Sequence, residues 1–146
     1  MPVKIRPIDL ISRQKERDVL YVDFIWDPVY VDPSADQVTI SPEIDWRYLP
    51  ERNAFISWLD TNKIAWEPCG GVASEFAILP YNGSLYIDVP FDLHHPVYQL
   101  LSDHLETPVG DQKIPGVYFY YYTLSSALKN SHHDEPGFWE KWAESF

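Results

Sequence analysis

Between residues 19 and 31 apolar side chains recur at every second position. Leu20, Val22, Phe24, Trp26 and Tyr30 fall on one side, and Val19, Tyr21, Asp23, Ile25 and Asp27 on the other. A period of two predicts a strand with one face against a core. Pro28 lacks the ladder N–H, which predicts an edge position or a bend there. The turn-rich segment VDPSAD and the short run at residues 37–40 complete a predicted hairpin.

The period then lengthens. Pro50 suits the first position of a helix, and Phe55, Trp58 and Leu59 follow at helical spacing. The chain turns back through Ile64 to Trp66, and Pro68, Gly70 and Gly71 predict a loop. In FAILPYNGSLYIDV, Asn82 and Gly83 both tolerate positive φ and lie between two strand-like runs, so a surface hairpin is expected. A helix opening near Pro96 carries Val97, Leu100, Leu101, His104 and Leu105 as an apolar stripe. GVYFYYYTL reads as a strand with aromatics on both faces, the pattern of a central strand. A last helix follows Pro136, with Phe138, Trp139, Trp142 and Phe146 on one stripe. The expected class is α+β: a single domain, residues 1–146, with a mostly antiparallel sheet and helices packed on one face. Burial is expected of Phe24, Trp26, Phe55, Trp58, Leu101, Phe119 and Trp142.

Composition adds limits. The chain has 146 residues, 45% of them apolar and 16% aromatic, enough for a substantial core and against disorder. Its one cysteine, Cys69, rules out an internal disulfide and a multi-cysteine zinc site. The first residues lack the apolar run of a secretory signal, and no stretch is long enough to span a bilayer. A cytoplasmic location is expected.

Charge narrows the partners further. The formal net charge is -11, and no Lys or Arg occurs between Arg17 and Arg47 or between Lys63 and Lys113. Acids occupy both windows, so a directional negative field is expected. Such a field repels nucleic acid and anionic membranes and attracts a basic protein.

Few residue patterns carry chemistry. His94 with His95 and His132 with His133 are the candidate metal ligands, but adjacent residues point apart on regular elements and no HExxH or CxxC pattern is present. No metal or cofactor is therefore expected. Cys69 before Gly70 and Gly71 has no base placed beside it by the sequence and reads as a small buried hydrophobe. Asp88 and Asp92 read as a strand-end acid and a helix N-terminal acid. The five aromatics of residues 118–122 lack the basic groove that single-stranded nucleic acid requires.

The expected function is an acidic protein-binding domain, an immunity or inhibitor protein neutralising a basic toxin or nuclease being the sharpest instance. Tyr21, Asp23, Asp27, Asp32 and Asp36 would form its partner-binding face. The alternatives are a small enzyme or ligand-binding domain with a pocket near Asp88, Asp92, His94 and His95, and an accessory subunit with an exposed apolar patch.

Overall fold

Pro7 ends strand β1 (Arg6–Pro7) and, with an extended backbone, caps helix α1 (Ile8–Lys15). The helix stops at Glu16, whose φ of 55° is left-handed and whose N–H bonds to the Ser12 carbonyl. Strands β2 (Val19–Phe24), β3 (Val29–Tyr30) and β4 (Thr39–Ile40) follow, then a 3-10 turn (Trp46–Tyr48), helix α2 (Pro50–Thr61) and strands β5 (Trp66–Gly70) and β6 (Leu85–Ile87). Helix α3 (Pro96–Leu105), strand β7 (Val117–Tyr122), helix α4 (Leu124–Leu128), a second 3-10 turn (Ser131–Asp134) and helix α5 (Phe138–Glu144) complete the course. This computed structural model describes residues 5–24, 29–30, 39–40, 46–76 and 81–145, with side chains described except at 29–30 and 39–40.

The class is α+β. One five-stranded sheet runs in the order β1-β5-β6-β2-β7, antiparallel at every join but the parallel β1–β5 pair. Strands β3 and β4 pair antiparallel, with Val29 opposite Ile40, as the hairpin reading expects. On β2, Leu20 and Val22 stand level with Ile87 and Leu85 of β6 and with Tyr121 and Phe119 of β7. That face carries the main core, which α2 covers through Phe55 and Leu59 and α3 through Leu101 and Leu105. Each such side chain, fully buried, contributes about 1.5–3 kcal/mol of transfer free energy. On the opposite face Val19, Tyr86 and Cys69 pack against Ile8 and Ile11 of α1, so that helix covers one end of the sheet's second side.

Three local expectations are corrected, and elements the sequence does not announce are added. Helix α1, hidden among charged residues, was not read from the sequence. Residues 66–70 form a strand rather than a loop: the Cys69 N–H donates to Ser84 O, just before β6, so the N–H that Pro68 lacks would face the β1 side. There β1 reaches only Cys69 and Gly70, and no ladder bond is lost. Among the described residues no strand pairs with β6 across Asn82 and Gly83, because β6 already has β5 and β2 as its two neighbours; residues 77–80 of the expected hairpin lie outside the described residues. Gly83 is buried, and its φ of 97° keeps a glycine there. Finally β7 lies at the sheet edge rather than its centre, since aromatics suit both a helix-covered face and a half-wet one.

Phe24, Phe55 and Leu101 are buried as expected, while Trp58, Phe119 and Trp142 are half-buried. Trp26 lies outside the described residues. No described helix is long and apolar enough to cross a membrane.

Candidate functional site: the tyrosine face of the sheet

Alternation along β2 and β7 puts Tyr21 and Asp23 on the same side as Tyr118, Tyr120 and Tyr122. Register sets Tyr21 level with Tyr120 and Asp23 level with Tyr118. The rings meet: Tyr21 and Tyr120 centroids are 5.3 Å apart, and Tyr118 lies nearly parallel to Tyr120 at 6.2 Å. Cross-strand aromatic pairs of this kind stabilise a sheet while leaving each hydroxyl available. Burial, followed by the neighbouring Asp23, pushes the Tyr21 hydroxyl up to about 12, so it remains a donor at neutral pH. Tyr120 is 38% exposed and Tyr121, on the far side of the same strand, 55%. Among the described residues no strand pairs with the outer edge of β7.

Asp23 closes one end of this face. Its carboxylate takes a short hydrogen bond from the Ser84 hydroxyl, and Ser84 is buried. Desolvation raises the Asp23 carboxyl above its ordinary value, with the Ser84 bond opposing that rise. The loop before β6 is itself fixed. Arg52 donates to the Gly83 carbonyl at 2.9 Å, lies 4.5 Å from the Trp46 ring and donates to the Tyr81 hydroxyl, which donates to Ser84 O at 2.9 Å. The sequence reading treats Asp23 as an outward acid; it is half-buried instead. Asp27, Asp32 and Asp36 lie outside the described residues.

Acids that lack nearby bases in the sequence acquire them in space. Arg6 donates to Glu67 through Nε at 2.9 Å, and Lys15 and Arg17 reach Asp88 at 3.5 and 2.8 Å. The window between Lys63 and Lys113 is thus partly neutralised by cations from the first 17 residues, and its field is weaker than the linear pattern suggests.

Those contacts also disperse the second candidate set. Burial opposes ionisation of Asp88, but the Tyr86 hydroxyl, Lys15 and Arg17 outweigh it and hold the carboxyl below its ordinary value. Asp92 accepts from the backbone N–H of His94, and His95 Nδ1 caps α3 by accepting from Val97 N–H at 3.1 Å. Each group is engaged locally, and His94 is exposed. His104 stacks on Trp58 at 3.9 Å, and burial lowers its basicity. Cys69 is fully buried, which holds its thiol well above its usual value, the opposite of what a nucleophile needs.

The polar groups that the structure does gather lie elsewhere. Asp9 is fully buried on α1. Its Oδ1 accepts from Ala73 N–H at 3.0 Å, and its Oδ2 from Arg13 at 3.0 Å and Asn130 at 3.2 Å. Arg13 continues to the Ala127 carbonyl at 3.0 Å and grips Asp134 with two bonds of 2.7 and 2.8 Å. Between the ends of this network Glu75 Oε1 meets His132 Nε2 at 2.7 Å and His133 Nε2 at 3.1 Å. The adjacent histidines therefore converge, contrary to the rule for regular elements. Here they occupy a tight 3-10 turn, and the carboxylate reaches between them from a loop 57 residues earlier. No sequence signal marks Glu75, since its neighbours Ser74 and Phe76 form no pattern with the histidines.

No protein-family model matches the chain, and neither a curated protein nor a solved structure matches it.

Proposed function

We propose that the chain is a protein-binding domain for a basic partner, engaged through the tyrosine face of β2 and β7. An immunity or inhibitor protein that neutralises a basic toxin or nuclease is the form this reading takes. The observation that carries it is the row of Tyr21, Tyr120 and Tyr118 rings with Asp23 at its end, set across β2 and the edge strand β7 of a protein with net charge -11. Tyrosine supplies large, rigid contact area at small entropic cost, and complementary charge speeds encounter. Asp27, Asp32 and Asp36 belong to the same proposed face.

The test uses a basic protein recovered by pull-down, with association and dissociation rates measured across ionic strength. Tyr120→Ala should weaken binding by about 2 kcal/mol, mainly through faster dissociation. Reversing charge at Asp27, Asp32 and Asp36 should slow association and flatten its salt dependence. Unchanged rates in both variants would remove this face from the interface, and recovery of no basic partner would remove the reading.

A further inference from the structure

We propose that Glu75, His132 and His133 bind a divalent transition-metal ion of the zinc class. Their three ligand atoms lie within 4.8 Å of one another. Tetrahedral zinc with bonds of about 2.0–2.1 Å places its donors about 3.3 Å apart. The observed Nε2 to Oε1 separations of 2.7 and 3.1 Å would widen by about 0.6 and 0.2 Å to that spacing, with the two Nε2 atoms no more than 4.8 Å apart. Two imidazoles and one carboxylate are a borderline donor set suited to zinc and its neighbours, whereas calcium and magnesium select oxygen-only sites. Water completes the coordination, and the exposure of the His132 and Glu75 side chains, 45% and 36%, provides access.

Both ligand-bearing segments are held from one helix. Asp9 fixes Ala73, two residues before Glu75, and also Asn130, two residues before His132; Arg13 fixes Asp134, the residue after His133. Support of this kind sets the ligands in place before the ion arrives, which limits the ordering cost of binding. His133 is also walled by Trp139, its ring centroid 4.7 Å away, and by Phe138 at 5.0 Å. The main shortfall is at His133 Nδ1, which is buried with no hydrogen-bond partner among the described residues. Metal ligation at Nε2 normally goes with an N–H donated from the other ring nitrogen, and losing such a partner weakens affinity by about 10–100-fold. Affinity should accordingly fall below that of a site with this partner in place by about that factor.

This inference reverses the expectation drawn from the sequence, where adjacent histidines point apart and no HExxH or CxxC pattern is present. The experiment titrates zinc into the untagged full chain, followed by calorimetry and thermal melts. Wild type should bind one equivalent and, at about a hundred times Kd, melt about 5–10 °C higher. Glu75→Gln and His132→Ala should each weaken zinc binding at least about tenfold while melting without zinc close to wild type, and His94→Ala should bind as wild type does. Cobalt(II) supplies a readout independent of stability: wild type should develop visible d–d absorption that Glu75→Gln lacks. No binding by wild type at millimolar zinc would overturn the proposal. So would undiminished binding in both ligand variants, or an equal response to magnesium.

Discussion

The Ser84 hydroxyl and the Asp23 carboxylate are joined by a hydrogen bond from the loop before β6 to strand β2, and the serine end of that bond is buried. A carboxylate placed this way is partly stripped of water and receives only partial return. Burial holds the folded carboxyl above its ordinary value of 3.8, so the folded state takes up a proton more readily than the unfolded chain. Its contribution to stability is fully present below the unfolded value and is lost as pH rises through the folded one. Asp23→Asn should therefore match or exceed wild type in thermal melts at pH 7, with the gap closing as pH falls toward 4. A loss of stability at pH 7 would mean that the ionised carboxylate is needed there.

Gly83 presents a different constraint. Its φ is 97°, and a Cβ built on it lies 2.8 Å from Trp46 Cβ and 3.3 Å from Arg52 Nε. Gly83→Ala combines a disfavoured backbone with a clash against the half-buried Trp46, and should cost at least about 2 kcal/mol. Urea unfolding measures this through a lower midpoint with an unchanged slope.

Asp88 has the opposite linkage to Asp23. Its folded carboxyl lies below the ordinary value of 3.8, so its stabilisation is present above that value and fades as pH falls through the folded one. Both its side chain and its two cationic partners are a third or more exposed, which limits the effect to about 0.5 kcal/mol. Asp88→Asn should lower stability at pH 7 by about that amount, and added salt should shrink the difference.

Cys69 should be chemically silent in the folded protein. It is fully buried, and its thiol is held in the protonated form. Reaction with a thiol-specific disulfide reagent should be negligible in buffer and stoichiometric in denaturant. Rapid labelling under native conditions would contradict the burial of β5.

Much of the main core was legible because its residues are neighbours in sequence. Pro50 with Phe55 and Leu59 marks α2, and the alternation of Leu20, Val22 and Phe24 marks β2. What failed depended on distant pairing. Asn82 and Gly83 carry the local chemistry of a hairpin, yet β6 is claimed on both sides by β5 and β2. The same reason hid the edge position of β7. On the candidate face, Tyr21 and Asp23 are visible by alternation, but Tyr118 and Tyr120 read as part of a central strand because nothing local tells an open sheet face from a covered one. The meeting of Glu75 with His132 and His133 spans 57 and 58 positions and leaves no periodic trace.

Helix α1 also bears on the order of folding. Its eight residues are too few to be stable alone, and two of them, Asp9 and Arg13, pair with each other and bond further to Ala127, Asn130 and Asp134, 114 and 121 positions later. During synthesis the helix leaves the ribosome with Asp9 and Arg13 able to pair only with each other, long before their later partners exist. Its apolar contacts with Val19, Cys69 and Tyr86 can form earlier, but its docking is completed only when α4 and the following turn exist, so this side of the sheet closes last.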